Sequence, residues 1–116
     1  MAPPARESAL GPARAAVLAD LLRALGHPLR LRLVTLLCQG ELHVAALAER
    51  LATAPVLVSQ QLRILRMSHL VEVRRRGSLA YYRLGDTHLR QLVRCLGQCT
   101  LADRMIALRT NRGTAR

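Results

Sequence analysis

Side chains that can ligate a metal recur at helical spacing near the end of the chain. His88, Cys95 and Cys99 are separated by seven and four residues, so a helix places them along one stripe. An antiparallel pair of such helices about a two-fold axis brings carboxylate, imidazole and thiol groups of both copies together: Asp86, His88, Cys99 and Asp103. Such a set can hold nickel, zinc or cobalt. The spacing therefore predicts a divalent metal between two copies of the chain.

A second set of candidate residues lies on a helix predicted over residues 55–67. Val58, Leu62 and Leu65 have the spacing of a buried face, which leaves the intervening positions at the surface. In the major groove of DNA, glutamine can pair with adenine and arginine with guanine. The candidates for contacts with bases or phosphates are Val56, Leu57, Ser59, Gln60, Gln61, Arg63 and Arg66. The two apolar members of this set either touch thymine methyl groups or lend one side chain to the core.

An arginine-rich hairpin follows this helix. Strands are predicted over residues 71–75 and 79–84, with a turn at 76–78. Neighbouring side chains on a strand point to opposite faces, so at most two of the three consecutive arginines share a face. The positions expected to reach the DNA backbone or minor groove are Arg75, Arg76 and Ser78. One ring, that of Tyr81 or Tyr82, is expected to pack against the preceding helix.

The charge of the chain narrows the class of partner. The net charge is +11, and all 18 basic residues are arginine. Such an excess indicates a polyanion, either duplex DNA or an anionic membrane surface. A membrane-surface protein needs a basic amphipathic helix with bulky apolar anchors, whereas these arginines are spread over helices and hairpin. No phosphate loop or Ser-His-Asp arrangement is present, and seven acidic residues leave little for acid–base catalysis, so no enzyme is expected.

Length and cysteine usage limit the remaining classes. A chain of 116 residues is one domain, and a dimer is a natural way for it to bury more surface. No apolar run approaches the roughly 20 residues needed to span a bilayer. The three cysteines form no Cys-x-x-Cys pair, which argues against a secreted disulfide framework. We therefore predict a cytoplasmic protein without membrane association.

Five helices and the hairpin are expected to position these groups. The predicted helices cover residues 13–25, 28–38, 43–51, 55–67 and 86–108. Pro28 and Pro55 suit a first helical position, with His27 and Thr53 as the caps before them. Because phenylalanine and tryptophan are absent, the core is predicted to consist of leucine, valine and alanine.

The domain boundaries follow from composition. Residues 1–12 are rich in proline and alanine and are predicted to form a mobile arm. Residues 13–108 form the predicted DNA-binding and dimerisation domain. Residues 109–116 are predicted to be a frayed tail.

Three segments of the chain resemble the ArsR/SmtB family of bacterial transcriptional repressors. They read LGHPLRLRLV at residues 25–34, GELHVAALA at 40–48 and SQQLRIL at 59–65. The resemblance covers about residues 17–99. It implies a mainly helical winged helix-turn-helix fold, a homodimer formed by the first and last helices, and binding to operator DNA that an inducer weakens.

The resemblance also bears on the metal ligands. A subset of this family binds zinc, cobalt or nickel at the dimer interface through an Asp-x-His pair and, further along the same helix, a His-x-x-His or His-x-x-Glu pair. Asp86 and His88 match the first pair, and Cys99 replaces the third ligand. The fourth position falls on Ala102, with Asp103 beside it. The resemblance therefore implies a metal-responsive repressor with an altered ligand set.

Other interpretations of the same residues remain open. In the alternative without a metal, Asp86 is a helix cap and His88 is a surface residue. Cys95 and Cys99 are then small apolar residues at the dimer seam. A thiol-responsive regulator and a ligand-independent regulator of the same fold are the alternatives to metal sensing. A disulfide from Cys38 to the last helix requires the second and fifth helices to approach each other.

Overall fold

The computed structural model describes residues 10–114 as six helices and one antiparallel sheet. In chain order the elements are α1 (Pro12–Leu25), α2 (Pro28–Leu37), β1 (Leu42–His43), α3 (Val44–Leu51), α4 (Pro55–Met67), β2 (Val71–Arg76), β3 (Leu79–Leu84), α5 (Thr87–Gly97) and α6 (Thr100–Thr114). The predicted class, mainly helical with a hairpin after the fourth helix, is confirmed. The predicted arm at residues 1–12 lies largely outside the described residues, as do residues 115–116.

Proline and capping residues set the helix starts. Pro12, Pro28 and Pro55 lie in the first turns of α1, α2 and α4, where a missing N–H leaves no broken hydrogen bond. The ring Nδ1 of His27 accepts a hydrogen bond from the backbone N–H of Leu29 at 3.1 Å, so the predicted cap is confirmed. The prediction that Thr53 caps α4 is wrong. That position is held by Ala54, and the Thr53 hydroxyl donates instead to the carbonyl of Leu51 at 2.9 Å.

A core of leucine, valine and alanine holds the helices and the sheet together. The three residues predicted to form the buried face of α4, Val58, Leu62 and Leu65, are fully buried. They pack in one cluster with α2, α3, the sheet and α5. From α1 only Leu25 is buried among the described residues. Leu18 and Leu21 are half-buried, whereas Val17 and Leu22 remain exposed within one chain.

The sheet contains one strand more than the two that were predicted. β1 pairs with β3 through Leu42 opposite Tyr82, which gives the order β1-β3-β2. Two-residue strands are too short to show periodicity, and this one exists because β3 offers it a free edge. The turn is also shorter than predicted, since Arg76 still pairs with Leu79 and only Gly77 and Ser78 connect the strands. Gly77 has φ +61°, as in the first central position of a type II′ turn.

The single last helix predicted over residues 86–108 is divided in two. α5 ends at Gly97, and the N–H of Gln98 donates to the carbonyls of both Arg94 and Cys95. Glycine is a poor helix former, and Gln98 has left helical geometry at φ −104°, ψ 11°. Cys99 therefore lies at a break between helices and not on the same stripe as His88.

The predicted end of the last helix at Leu108 is wrong, because α6 continues to Thr114. Arginine and leucine favour the helix there. Every residue of α6 whose burial is described, 100–113, is exposed. The helix thus projects from the core of the protomer.

Candidate nucleic-acid interface

α3 and α4 form a helix-turn-helix with a very short connection. Ala52 adopts the left-handed conformation at φ 49°, ψ 47°, and ends α3. The N–H of Thr53 donates to the carbonyl of Ala48 at 3.0 Å, which closes the turn. Because Val58, Leu62 and Leu65 anchor one side of α4 in the core, its other side is presented to solvent.

The exposed side of α4 carries most of the predicted DNA-contacting residues. Ser59, Gln60, Arg63 and Arg66 are all exposed. Within residues 10–114, the guanidinium groups of Arg63 and Arg66 form no ion pair or side-chain hydrogen bond, so both charges are free. This side of α4 therefore combines polar groups with unpaired positive charge.

The first turn of α4 is apolar and exposed. Val56 is 62% exposed and Leu57 is 47% exposed. The structure therefore excludes the alternative in which one of them belongs to the core. Both remain available for contact with a partner.

Gln61 differs from its neighbours because its side chain is held within the protein. It is half-buried, and its Oε1 accepts a hydrogen bond from Arg30 Nη1 at 2.9 Å. Arg30 is fixed in turn at the end of α1, where its Nε donates to the carbonyl of Ala24 at 2.6 Å. The chain thus positions the Gln61 amide through a residue of α2. Sequence reasoning missed Arg30, which has no local signal of this role.

The hairpin separates its arginines onto two faces. The pairing register places Arg74 and Arg76 on one face of the sheet and Arg75 on the other, as alternation predicts. All three are exposed, as is Ser78 in the turn. The guanidinium groups of Arg74 and Arg75 have no ion-pair partner in the described part of the chain. They add to the positive charge beside α4.

Arg76 is held by an intramolecular contact. Its Nη2 lies 2.7 Å from Oε2 of Glu41, the residue just before β1. Its guanidinium also lies 5.2 Å from the ring centroid of Tyr81, which meets the His43 ring edge-on at 5.5 Å. The other tyrosine, Tyr82, packs against the core. Arg76 is therefore less free to meet a phosphate than Arg75.

The predicted metal ligands are only partly brought together. Oδ1 of Asp86 caps α5 by accepting a hydrogen bond from the N–H of His88 at 2.6 Å, and it lies 2.9 Å from His88 Nδ1. Cys99 is half-buried at the helix break, and Asp103 is exposed in the first turn of α6. Residues 10–114 of one protomer contain no group of three or more potential ligands.

The Asp86–His88 pair fits a metal site in part. The hydrogen bonds from His88, first the backbone and then the side chain, lower the pKa of Asp86 and keep it ionised. A carboxylate that holds one ring nitrogen is the usual partner of a metal-ligating histidine. His88 is 87% exposed at its side chain, so Nε2 is open to an ion. One protomer therefore offers an imidazole and a carboxylate, but not a complete site.

Cys38 lies against α5. This approach of the second helix to the fifth is what a disulfide between Cys38 and the last predicted helix requires. Its Sγ is 4.0 Å from the carbonyl oxygen of Arg90. Burial raises the pKa of the Cys38 thiol, against the opposing effect of Arg90 and Arg94. A groove of about 450 Å³ beside Cys38 is lined on the α5 side by Val93, Arg94, Gly97 and Gln98 and does not include Cys95.

A short helix-turn-helix with an arginine-bearing hairpin beside its second helix defines a winged helix-turn-helix protein of the kind that binds DNA. The described helices include none that is long and apolar enough to cross a bilayer.

Comparisons with known proteins give the family. The pattern described as "Bacterial regulatory protein, arsR family" matches residues 27–73. The Biofilm growth-associated repressor of Xylella fastidiosa is 42% identical over 83 residues, which span 72% of this chain and 73% of that protein. The Transcriptional repressor SmtB homolog of a Synechocystis strain is 44% identical over 77 residues, 66% of this chain and 58% of that protein. This chain belongs to the arsR family of bacterial regulatory proteins.

A solved structure supports the fold. The homodimeric winged helix-turn-helix DNA-binding domain of a possible ArsR-family transcriptional regulator from Mycobacterium bovis is 30% identical, with a TM-score of 0.67. The match covers 84% of this chain and 91% of that domain. The relatives and this neighbour are transcriptional regulators and not enzymes, in agreement with the prediction.

Proposed function

We propose that a homodimer of this protein binds operator DNA as a transcriptional repressor, and that a divalent metal between the protomers weakens that binding. The observation that carries the DNA part is α4, whose exposed side bears Arg63 and Arg66 without intramolecular partners. Unpaired arginines beside an arginine hairpin supply the positive surface that DNA binding requires. Repression of transcription also places the protein in the cytoplasm, where bacterial DNA lies.

The residues of this surface divide into those suited to contacts with bases and those suited to contacts with phosphates. Ser59, Gln60 and Arg63 on the exposed side of α4 suit the base edges of the major groove, and so does the half-buried Gln61 through its amide. Val56 and Leu57 suit thymine methyl groups. The residues suited to phosphates are Arg66, Arg75 and Ser78, with Arg76 once it leaves Glu41.

The dimer part of the proposal rests on apolar side chains that one chain leaves uncovered. On the first and last helices the large exposed side chains include Val17, Leu22, Leu101, Ile106 and Leu108. Exposed large apolar side chains on two helices are typical of a surface that a partner covers. A second copy is the proposed partner, as in the homodimeric neighbour from Mycobacterium bovis.

The DNA-binding proposal is tested by electrophoretic mobility shift and by footprinting on the DNA fragment upstream of the gene. The dimer should protect two half-sites about one helical turn, roughly 34 Å, apart. Arg63→Ala should relax the preference for one base pair. The matched control Arg109→Ala removes the same charge from α6 and should keep that preference. A monomer at micromolar concentration that shifts no DNA at low salt would contradict the proposal.

The metal part rests on the Asp86–His88 pair at the start of α5. Residues 10–114 of one protomer hold no third ligand near this pair, and the proposal assigns the further ligands to Cys99 and Asp103 of the second copy. His88 offers Nε2, and Asp86 both orients the ring and offers its second carboxylate oxygen. A divalent ion held by these residues would link two copies of the last helices.

Metal binding has a readout that does not depend on DNA. Titration with cobalt should give a sulfur-to-metal charge-transfer band from Cys99, and affinity should rise with pH because the thiol loses its proton. His88→Ala should abolish binding, and Cys99→Ser should remove the band. The control Cys38→Ser should keep both. Parental affinity in His88→Ala would place the site elsewhere.

The position of Cys38 favours a second candidate, regulation by thiol oxidation. Its sulfur lies against α5 at the Arg90 carbonyl, while Cys95 of that helix is exposed and does not line the groove beside Cys38, so joining the two thiols requires α5 to move. A hydroperoxide can join two such thiols: the S–S bond forms as the O–O bond breaks, and the two thiol hydrogens leave in water and an alcohol. The raised pKa of Cys38 lowers its thiolate fraction, so metal sensing is the first proposal. Loss of DNA binding after peroxide, abolished in Cys38→Ser, would reverse this order.

A further inference from the structure

We infer that Arg30 is a positioning residue for base recognition, because it fixes the orientation of the Gln61 amide. The inference rests on the proposed reading role of α4. Arg30 lies on α2 and Gln61 on α4, and Arg30 Nη1 donates to Gln61 Oε1 at 2.9 Å. Both side chains are half-buried. The contact therefore links the recognition helix to the helix packed behind it.

The chemistry of the pair determines which way the amide points. A guanidinium only donates hydrogen bonds, so the atom of Gln61 that faces it must be the oxygen. If the amide flipped, the Gln61 amino group would face the Arg30 guanidinium, and two hydrogen-bond donors would then oppose each other. The Gln61 amino group is therefore the part that remains for a partner outside the protein.

Arg30 is itself held in place. Its Nε donates to the carbonyl of Ala24 at 2.6 Å, and its Nη2 donates to the carbonyl of Arg23 at 3.4 Å. These carbonyls belong to the last turn of α1, which ends before Gly26. Each nitrogen of Arg30 therefore makes one contact inside the protein, and each terminal nitrogen keeps one further N–H. The same side chain joins α1, α2 and α4.

The expected consequence is a narrower choice of base. An amino group that the Arg30 contact leaves free suits acceptors in the major groove, such as N7 of a purine, O6 of guanine or O4 of thymine. Without Arg30 the amide can rotate and flip, and it then accepts or donates with similar ease. Loss of Arg30 should therefore reduce discrimination at one base pair without changing the number of phosphate contacts.

The test measures binding to a set of operator variants in which each base pair is changed in turn. The proteins are the parent, Arg30→Met, Gln61→Ala, the double variant, and the control Arg32→Met on the same helix. Arg30→Met should lose roughly two- to tenfold of discrimination, the factor that one hydrogen bond contributes. Gln61→Ala should relax the same base pair, and the double variant should add nothing further. The control should keep the parental preference.

A second measurement guards against misfolding. Arg30→Lys keeps the charge but cannot reach three acceptors at once, and it should fold like the parent by circular dichroism while it loses part of the discrimination. In the DNA-free protein, the Gln61 side-chain amide resonances should shift in Arg30→Met and Arg30→Lys but not in Arg32→Met.

Three results would overturn the inference, and they are distinguishable from each other. A uniform loss of affinity with a salt slope reduced by about one unit would make Arg30 a phosphate contact. Unchanged base preference in both single variants, with operator binding intact, would reject the inference while the proposed function stands. Absence of duplex binding by the parent would reject the proposed function itself.

Discussion

The helix-turn-helix and the two terminal helices use their apolar residues in opposite ways. In α4 the three residues Val58, Leu62 and Leu65 are fully buried, so the position of the exposed face is set within one chain although that face includes apolar side chains such as Val56 and Met67. In α1 and α6 comparable residues remain exposed: Val17 is 67% and Ile106 is 63% accessible. The DNA-reading region is therefore complete in the protomer, whereas the terminal helices are complete only in an assembly. A ligand that alters the assembly can move two finished reading regions without remodelling either.

The largest expected effect is on the stability of the reading region. Leu62→Ala removes a fully buried side chain from α4 and should lower the free energy of unfolding by about 2–5 kcal/mol. Urea denaturation followed by circular dichroism measures it. Ile64→Ala, on the exposed side of the same helix, is the control and should cost much less. Equal losses would mean that α4 is not anchored as described.

The next largest effect is on dimerisation, which should depend on the terminal helices and not on α4. Ile106→Asp on α6 should weaken dimerisation by at least about tenfold, since a buried isoleucine contributes about 1.5–3 kcal/mol. Met67→Asp on α4 changes a side chain of similar exposure, 70%, and should leave the dimer intact. Sedimentation equilibrium measures both. A dimer weakened by Met67→Asp alone would place the interface on the reading region.

A smaller effect concerns the hairpin. Glu41→Gln removes the ion-pair partner of Arg76, so the freed guanidinium should gain a phosphate contact. Affinity should rise for all sequences alike, and the salt slope should steepen by about 0.9. Glu72→Gln is the matched control, because that carboxylate pairs with Arg83 at 3.1 Å and not with Arg76. The same steepening in both variants would show a general charge effect and no specific release.

The smallest effect is on cysteine reactivity. Cys95 is exposed, whereas burial raises the pKa of Cys38. Alkylation by iodoacetamide at neutral pH should modify Cys95 first, and the rate at Cys38 should rise only at higher pH because the thiolate is the reactive form. Mass spectrometry of the digested protein measures both. Faster modification of Cys38 would favour the thiol-oxidation candidate.

Local patterns predicted the parts of the fold that depend on local interactions. The buried positions of α4 and the arginine hairpin follow from spacings within one element. The break after Gly97 escaped prediction because apolar spacing continues across it, and β1 escaped because its only support is pairing with β3.

The side-chain contacts that tune the candidate site could not be predicted. Arg30 and Gln61 are 31 residues apart, and Glu41 and Arg76 are 35 residues apart. Neither pair has a spacing that marks it, since each meets only when the helices and the sheet pack. The contact between Cys38 and α5 likewise forms only when the helices pack. Residue types therefore indicated a DNA-binding surface, and the fold decided which of its members are free.

The most direct test of the account is operator affinity with and without saturating nickel, zinc or cobalt at fixed salt. The account predicts that at least one metal weakens DNA binding by about 5–150-fold, a coupling of about 1–3 kcal/mol, and that DNA weakens metal binding by the same factor. His88→Ala should bind DNA like the parent and show no response. Equal DNA affinity with every metal, at sites shown to be occupied, would contradict the proposal that metal releases the repressor.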